Sequence, residues 1–138
     1  MKTKSILLVL VLSIGLFLTS CTDDNGGETL APLVGKWNIT KVGTTVGSTE
    51  TMTDPPQNQS GCDKDYLNLR IDNTVIMGDY SSSISPCALT TKSGIYSRSN
   101  NNLTLTIDGV TTTRNIVNLS LIELKLKDAN GVISVYTR

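Results

Sequence analysis

The sequence predicts an all-β domain, a small antiparallel up-and-down barrel of about eight or nine strands. Apolar residues alternate with polar ones in short segments, tight-turn residues separate those segments, and no long run repeats with the 3.6-residue period of a helix. Tyr66-Leu67-Asn68-Leu69-Arg70-Ile71-Asp72 sets Leu67, Leu69 and Ile71 on one side. Leu103-Thr104-Leu105-Thr106-Ile107 and Glu123-Leu124-Lys125-Leu126-Lys127 repeat the pattern. Asp72-Asn73, Asn100-Asn101-Asn102, Asp108-Gly109 and Asn130-Gly131 tolerate the left-handed backbone of tight hairpins.

Strands are expected near 36–43, 45–53, 65–72, 74–80, 91–98, 102–108, 110–117, 123–128 and 132–138. Two polar segments interrupt the meander. Asp54-Pro55-Pro56-Gln57-Asn58-Gln59-Ser60-Gly61 carries two prolines without an amide donor and cannot be a central strand. Ser81 to Pro86 is the second loop. Strands joined mainly by hairpins must hide their edges; closure into a barrel does so completely, whereas the alternative, an open sandwich, does not.

The N-terminus has a different character. Lys2 and Lys4 precede an apolar run from Ile6 to Leu18, followed by small polar residues, the layout of a secretory signal over residues 1–20. The run is shorter than the ~20 residues a membrane-spanning helix needs. Leu18-Thr19-Ser20-Cys21 resembles the lipobox of bacterial lipoproteins. That resemblance implies that the Cys21 thiol takes a diacylglyceryl group and that cleavage leaves Cys21 as the new N-terminus; two or more acyl chains, palmitate among them, anchor a protein stably. Residues 21–29, with Thr22-Asp23-Asp24-Asn25-Gly26-Gly27-Glu28, are acidic and glycine-rich and read as a flexible tether. Gly27 stands where an EF-hand loop wants Asp or Asn, which argues against a calcium loop. The aspartates after the cysteine also resemble surface-export signals of Bacteroidetes lipoproteins. The expected location is the cell envelope, at the outer membrane on its periplasmic or surface-exposed face.

Residues 30–138 then form one domain. Of 138 residues, 12 are basic and 12 acidic; loss of Lys2 and Lys4 with the leader leaves acidic side chains in slight excess, without the basic footprint of a nucleic-acid binder. The chain has 0 histidines, which removes the commonest general base and zinc ligand and every Ser-His or Cys-His nucleophile. No enzymatic activity, metal or cofactor is expected. With Cys21 assigned to lipid, Cys62 and Cys87 remain, spaced far beyond Cys-x-x-Cys and in an oxidising compartment. They are expected to form a structural disulfide.

Leu33-Val34-Gly35-Lys36-Trp37-Asn38-Ile39 opens the first strand with Gly-x-Trp, and Cys62-Asp63-Lys64-Asp65-Tyr66-Leu67 places a cysteine before an Asp-rich strand start. Together with the second cysteine in a later loop, the Leu-x-Leu strand at 124–126 and the closing Tyr136-Thr137-Arg138, these features resemble the lipocalin-like domains of short Bacteroidetes lipoproteins. The resemblance implies a barrel closed at one end by Trp37, with Gly35 beside it, and makes Arg138 the candidate to pack over the indole, the alternative being a frayed terminal charge. It also implies a non-enzymatic binding module for a small hydrophobic or amphipathic ligand. The alternative is an envelope protein that engages a protein or glycan through its outer face and loops.

Tyr66, Tyr80 and Tyr96 are the candidate ligand contacts, since each joins an apolar ring to a polar tip. Asp63 and Asp65 flank Lys64 but lack a third ligand or a base, so they read as solvated loop charge. The Asn-x-Ser/Thr triplets at Asn38, Asn58, Asn102 and Asn118 are discounted as glycan acceptors in a bacterial cell.

Overall fold

The computed structural model describes residues 32–83 and 87–138. The signal segment, Cys21 and the tether lie outside them. The nine strands are β1 (Gly35–Val46), β2 (Thr49–Thr53), β3 (Tyr66–Leu69), β4 (Thr74–Ser81), β5 (Ala88–Ser99), β6 (Asn102–Ile107), β7 (Val110–Leu119), β8 (Glu123–Lys127) and β9 (Val132–Thr137).

Every pairing is antiparallel, in the order β2-β1-β3-β4-β5-β6-β7-β8-β9, and β9 also pairs with β1. Eight strands therefore close into a barrel, with β2 as an added ninth. One edge of β1 serves two neighbours: its first residues pair with β3, from Gly35↔Leu69 to Asn38↔Tyr66, and its last with β2, from Val42↔Thr53 to Val46↔Thr49. Gly43 lets β2 fold closely onto the outer wall, since a Cβ there would lie 2.1 Å from the Thr51 carbonyl oxygen. From that position Glu50 reaches the Lys125 ammonium on β8. Ile133, paired with Gly43, is 0% exposed yet outside the barrel's core cluster, as expected for an outward residue covered by this hairpin.

The turns follow the sequence's backbone chemistry. Asn73, Asn100 and Asp108 have φ of 62°, 53° and 51°, and Gly109 follows Asp108 at 77°. Three boundaries differ from the alternation. β1 continues to Val46 and turns at Gly47, whose φ is 63°, so the first hairpin is longer than the expected break after 43. β5 begins at Ala88 rather than near 91. β3 ends at Leu69 because the Arg70 N–H bonds the Thr74 carbonyl and the Asn73 N–H bonds that of Arg70. Ile71 thus rides on the turn, 88% exposed, and does not join Leu67 and Leu69 in the core.

The core occupies one end of the barrel. Trp37, Leu69, Val75, Leu103, Leu124 and Leu126 are fully buried there, with Leu33, Tyr96 and Ile116 packed against them. Bulges at Ile39/Lys41 and Ile116/Asn118 bend the walls of β1 and β7. At the other end β3 is too short to complete the wall between β1 and β4. The segment 54–65 lies across that gap: the Asn58 side-chain amide donates to the Ile39 carbonyl at 2.8 Å, and the Ile39 N–H donates to the Asp65 carbonyl at 2.9 Å. The Cys62–Cys87 disulfide, with Cα atoms 5.6 Å apart, and a bond from Ser82 to the Gln59 side chain tie this segment to the far end of β4 and the start of β5.

Candidate functional site

The packed end is a plug, and its parts explain the Gly-x-Trp motif. The Trp37 indole N–H donates to the Leu33 carbonyl at 2.7 Å, and the Arg138 guanidinium lies 4.2 Å from the ring centroid. Arg138 also donates to the carbonyls of Val34, at 3.1 Å, and Leu121. Gly35 has φ of 145°, and a Cβ at this position would stand 2.9 Å from the Arg138 guanidinium. The backbone conformation is what favours glycine there, and a Cβ would in addition push the end of the Arg138 side chain off its place.

The opposite half of the barrel is hollow. One cavity of ≈ 280 Å³ is lined by Leu67, Met77, Lys92, Leu105, Ile107, Asp108, Val110, Thr112, Arg114 and Tyr136. A second, of ≈ 310 Å³, lies beneath segment 54–65 and is lined by Ile39, Gln57, Asp65, Tyr66, Leu67, Met77, Gly78, Asp79 and Tyr136. Leu67, Met77 and Tyr136 line both, so the two are adjacent lobes of the barrel interior that meet at these side chains. Each is near the lower bound of ligand pockets, about 300 Å³.

The lobes differ in charge. In the lobe beneath 54–65, burial pushes the Asp65 carboxyl up, opposed by the N–H of Tyr80, which donates to it at 2.8 Å, and reinforced by the charge of Asp79. In the other lobe, Lys92 pairs with Asp108 at 3.3 Å at the rim. Arg114 is half-buried and donates to the Ser134 hydroxyl at 3.4 Å. Between the lobes stands Tyr136, 6% exposed. Burial raises its phenol, while Arg114 and Ser134 favour the ionised form.

The three tyrosines singled out from the sequence separate. Tyr66 borders the lobe beneath 54–65, while its ring and that of Tyr80 lie side by side with centroids 6.4 Å apart and the Lys36 ammonium 4.1 Å from the Tyr66 centroid. The Tyr66 ring fills the space above Gly78, where a Cβ would come within 2.2 Å of it. Tyr96 faces inward but at the packed end, its hydroxyl donating to the Arg70 carbonyl at 2.7 Å. Asp63 and Lys64 border a polar surface hollow near the disulfide rather than the interior. Among the described residues no group of three His, Cys, Asp or Glu could hold a metal. The interior residues that the sequence reading passed over are Tyr136, Arg114, Met77 and Lys92. They share strand phase with residues it did place: Arg114 is two before Ile116, and Lys92 is four before Tyr96.

A closed antiparallel barrel, plugged at one end and with cavities in the other, is the architecture of a small lipocalin-like barrel. The sequence model of the lipocalin-like domain matches residues 33–126, and the chain belongs to that family. Two solved structures share the fold. A lipocalin-like protein from Bacteroides uniformis superposes with a TM-score of 0.60 at 16% identity, covering 77% of this chain and 97% of its own. An uncharacterized protein from Bacteroides eggerthii does so with a TM-score of 0.59 at 12% identity, covering 78% and 99%. No curated protein matches the chain.

Proposed function

We propose that the protein is an extracytoplasmic lipoprotein, acylated at Cys21, whose lipocalin-like domain takes a small apolar or amphipathic molecule into the hollow half of the barrel. The observation that carries the binding reading is the division of the interior. Leucines and Trp37 are fully buried in one half, while the same inward faces of β4–β7 and β9 line a cavity in the other. A barrel needed only as a scaffold gains stability by filling that space, since an unfilled cavity costs about 24 cal/mol per Å³ in large-to-small core series. The lipobox and the acidic segment after Cys21 support the anchor, and the absence of histidine supports a binding rather than catalytic role.

Two measurements test this reading. Metabolic labelling with a palmitate analogue should mark the wild-type chain and leave a Cys21→Ser variant unmarked; equal labelling refutes the anchor. Native mass spectrometry of residues 22–138, prepared without detergent, should show a co-purifying species of lipid-like mass. A bare polypeptide in repeated preparations, with no uptake of added amphiphiles, refutes the carrier reading and favours an envelope protein that works through its outer face.

A further inference from the structure

We infer that the cavity takes its ligand head first, the head being an anion such as a carboxylate, bound at the inner end by Arg114 and Tyr136, with Ser134 behind them holding the guanidinium. The inference rests on the binding reading above and adds the class and direction of the ligand.

The strand register sets the depth of each group. Arg114 pairs with Leu103, one of the fully buried residues of the plug, whereas Thr112 and Val110 lie successively nearer the β6–β7 turn at the mouth. Tyr136 pairs with Ile39 and Leu124, again at the level of the core. Arg114 and Tyr136 thus line the floor, the buried Ser134 hydroxyl sits behind Arg114 and accepts from its guanidinium, and Leu67, Met77 and Ile107 form apolar walls above them.

Every group in that floor cluster can donate a hydrogen bond. Among the described residues, no carboxylate lies within 4.0 Å of Arg114, whereas Lys92 at the rim is already paired with Asp108. A guanidinium that is half-buried in an apolar cavity without a counter-ion has lost part of its hydration, and an anion restores what it lost. The planar fork suits a carboxylate, which it can hold through two parallel bonds. Asp65 and Asp79 in the other lobe repel the same anion, so the charge distribution steers the head to Arg114 and away from segment 54–65. An apolar tail then lies between Met77 and Ile107 and points toward the mouth.

All nine strands of the closed sheet and the core residues among the described residues fall within 33–138, so a chain of residues 22–138 carries the barrel and serves for the test. Calorimetric titrations with decanoate, 1-decanol and decylamine compare one tail with three heads. Decanoate should bind most tightly, and Arg114→Gln should weaken it by about ten- to hundredfold, the loss of a charge-assisted hydrogen bond, while leaving 1-decanol unchanged. Arg114→Lys should restore part of the difference. Equal affinity of wild-type protein for decanoate and 1-decanol, or a preference for decylamine drawn by Asp65 and Asp79, overturns the inference even if Arg114→Gln does not fold. Failure of all three ligands to bind instead refutes the carrier reading on which it rests.

Discussion

Removal of the Arg138 side chain tests the account of the plug. Its guanidinium covers the Trp37 indole at 4.2 Å and donates to the carbonyls of Val34 and Leu121, joining the chain before β1 to the β7–β8 turn. A cation over an indole contributes about 0.5–1 kcal/mol when exposed and about 2 when desolvated. Hydrogen bonds from a charged donor add about 1.5–3 kcal/mol when buried. Arg138 is exposed at its outer side, so solvent screening puts both contributions at the low end of their ranges. Arg138→Ala should therefore cost about 2 kcal/mol. The chain has 1 tryptophan, so fluorescence-detected urea unfolding reads both the stability and the cover over Trp37. The variant should lower the unfolding midpoint, shift the native emission to the red and make it more accessible to acrylamide. Arg138→Lys keeps the charge but cannot span two carbonyls, and should recover less than half of the loss. A change within about 0.5 kcal/mol, the range of an ordinary surface substitution, with native emission unaltered would show that Arg138 is no part of the plug.

The Cys62–Cys87 bond closes a loop with a sequence separation of 25, worth about 3.5 kcal/mol in the chain-entropy account. Replacing both cysteines with serine should lower stability by about 2–4 kcal/mol in urea titration, and a loss under about 1 kcal/mol would mean that segment 54–65 is held by its hydrogen bonds alone. Asp65 gives a pH signature. Its native carboxyl titrates above the unfolded value, so the folded state binds the extra proton and stability falls as pH rises from about 3.9 through the raised native value. Asp65→Asn keeps an acceptor for the Tyr80 N–H and should flatten this stretch of the stability–pH curve; an unchanged slope would place the pH dependence elsewhere.

Much of the barrel was legible because its strands have one wet face. Leu103-Leu105 and Leu124-Leu126 alternate with polar residues, and the wall they form follows directly from that phase. Ile71 shows where the rule stops. It continues the phase of Leu67 and Leu69, but the Asp72-Asn73 turn pulls the chain out of the sheet one residue earlier, and local turn bonding overrides alternation. The position of β2 was not legible either, since it depends on Gly43 permitting a close fold and on Glu50 meeting Lys125, contacts across long sequence separations.

The cavity was harder to see than the core for a related reason. Its polar lining breaks the apolar pattern that identifies an inward face: Arg114 and Lys92 on otherwise threonine-rich strands look like solvent-facing residues. Residue type does not decide side. Tyr66 borders one lobe while its ring lies beside Tyr80 and Lys36, Tyr96 completes the plug, and Tyr136 lines both lobes because of its register with Ile39 and Leu124.

The carbonyl of Leu33, which accepts the indole hydrogen bond, also determines how the barrel would hang from anything attached upstream. The chain reaches the fold at the plugged end, so a pull on the N-terminus is borne first by Leu33, Trp37 and Arg138, which are joined to one another by the indole bond and the guanidinium. The β6–β7 and β8–β9 turns lie at the opposite end. On the proposed reading, attachment and uptake would thus be mechanically separate: the open end faces away from the point of suspension, and strain at one pole need not distort the other.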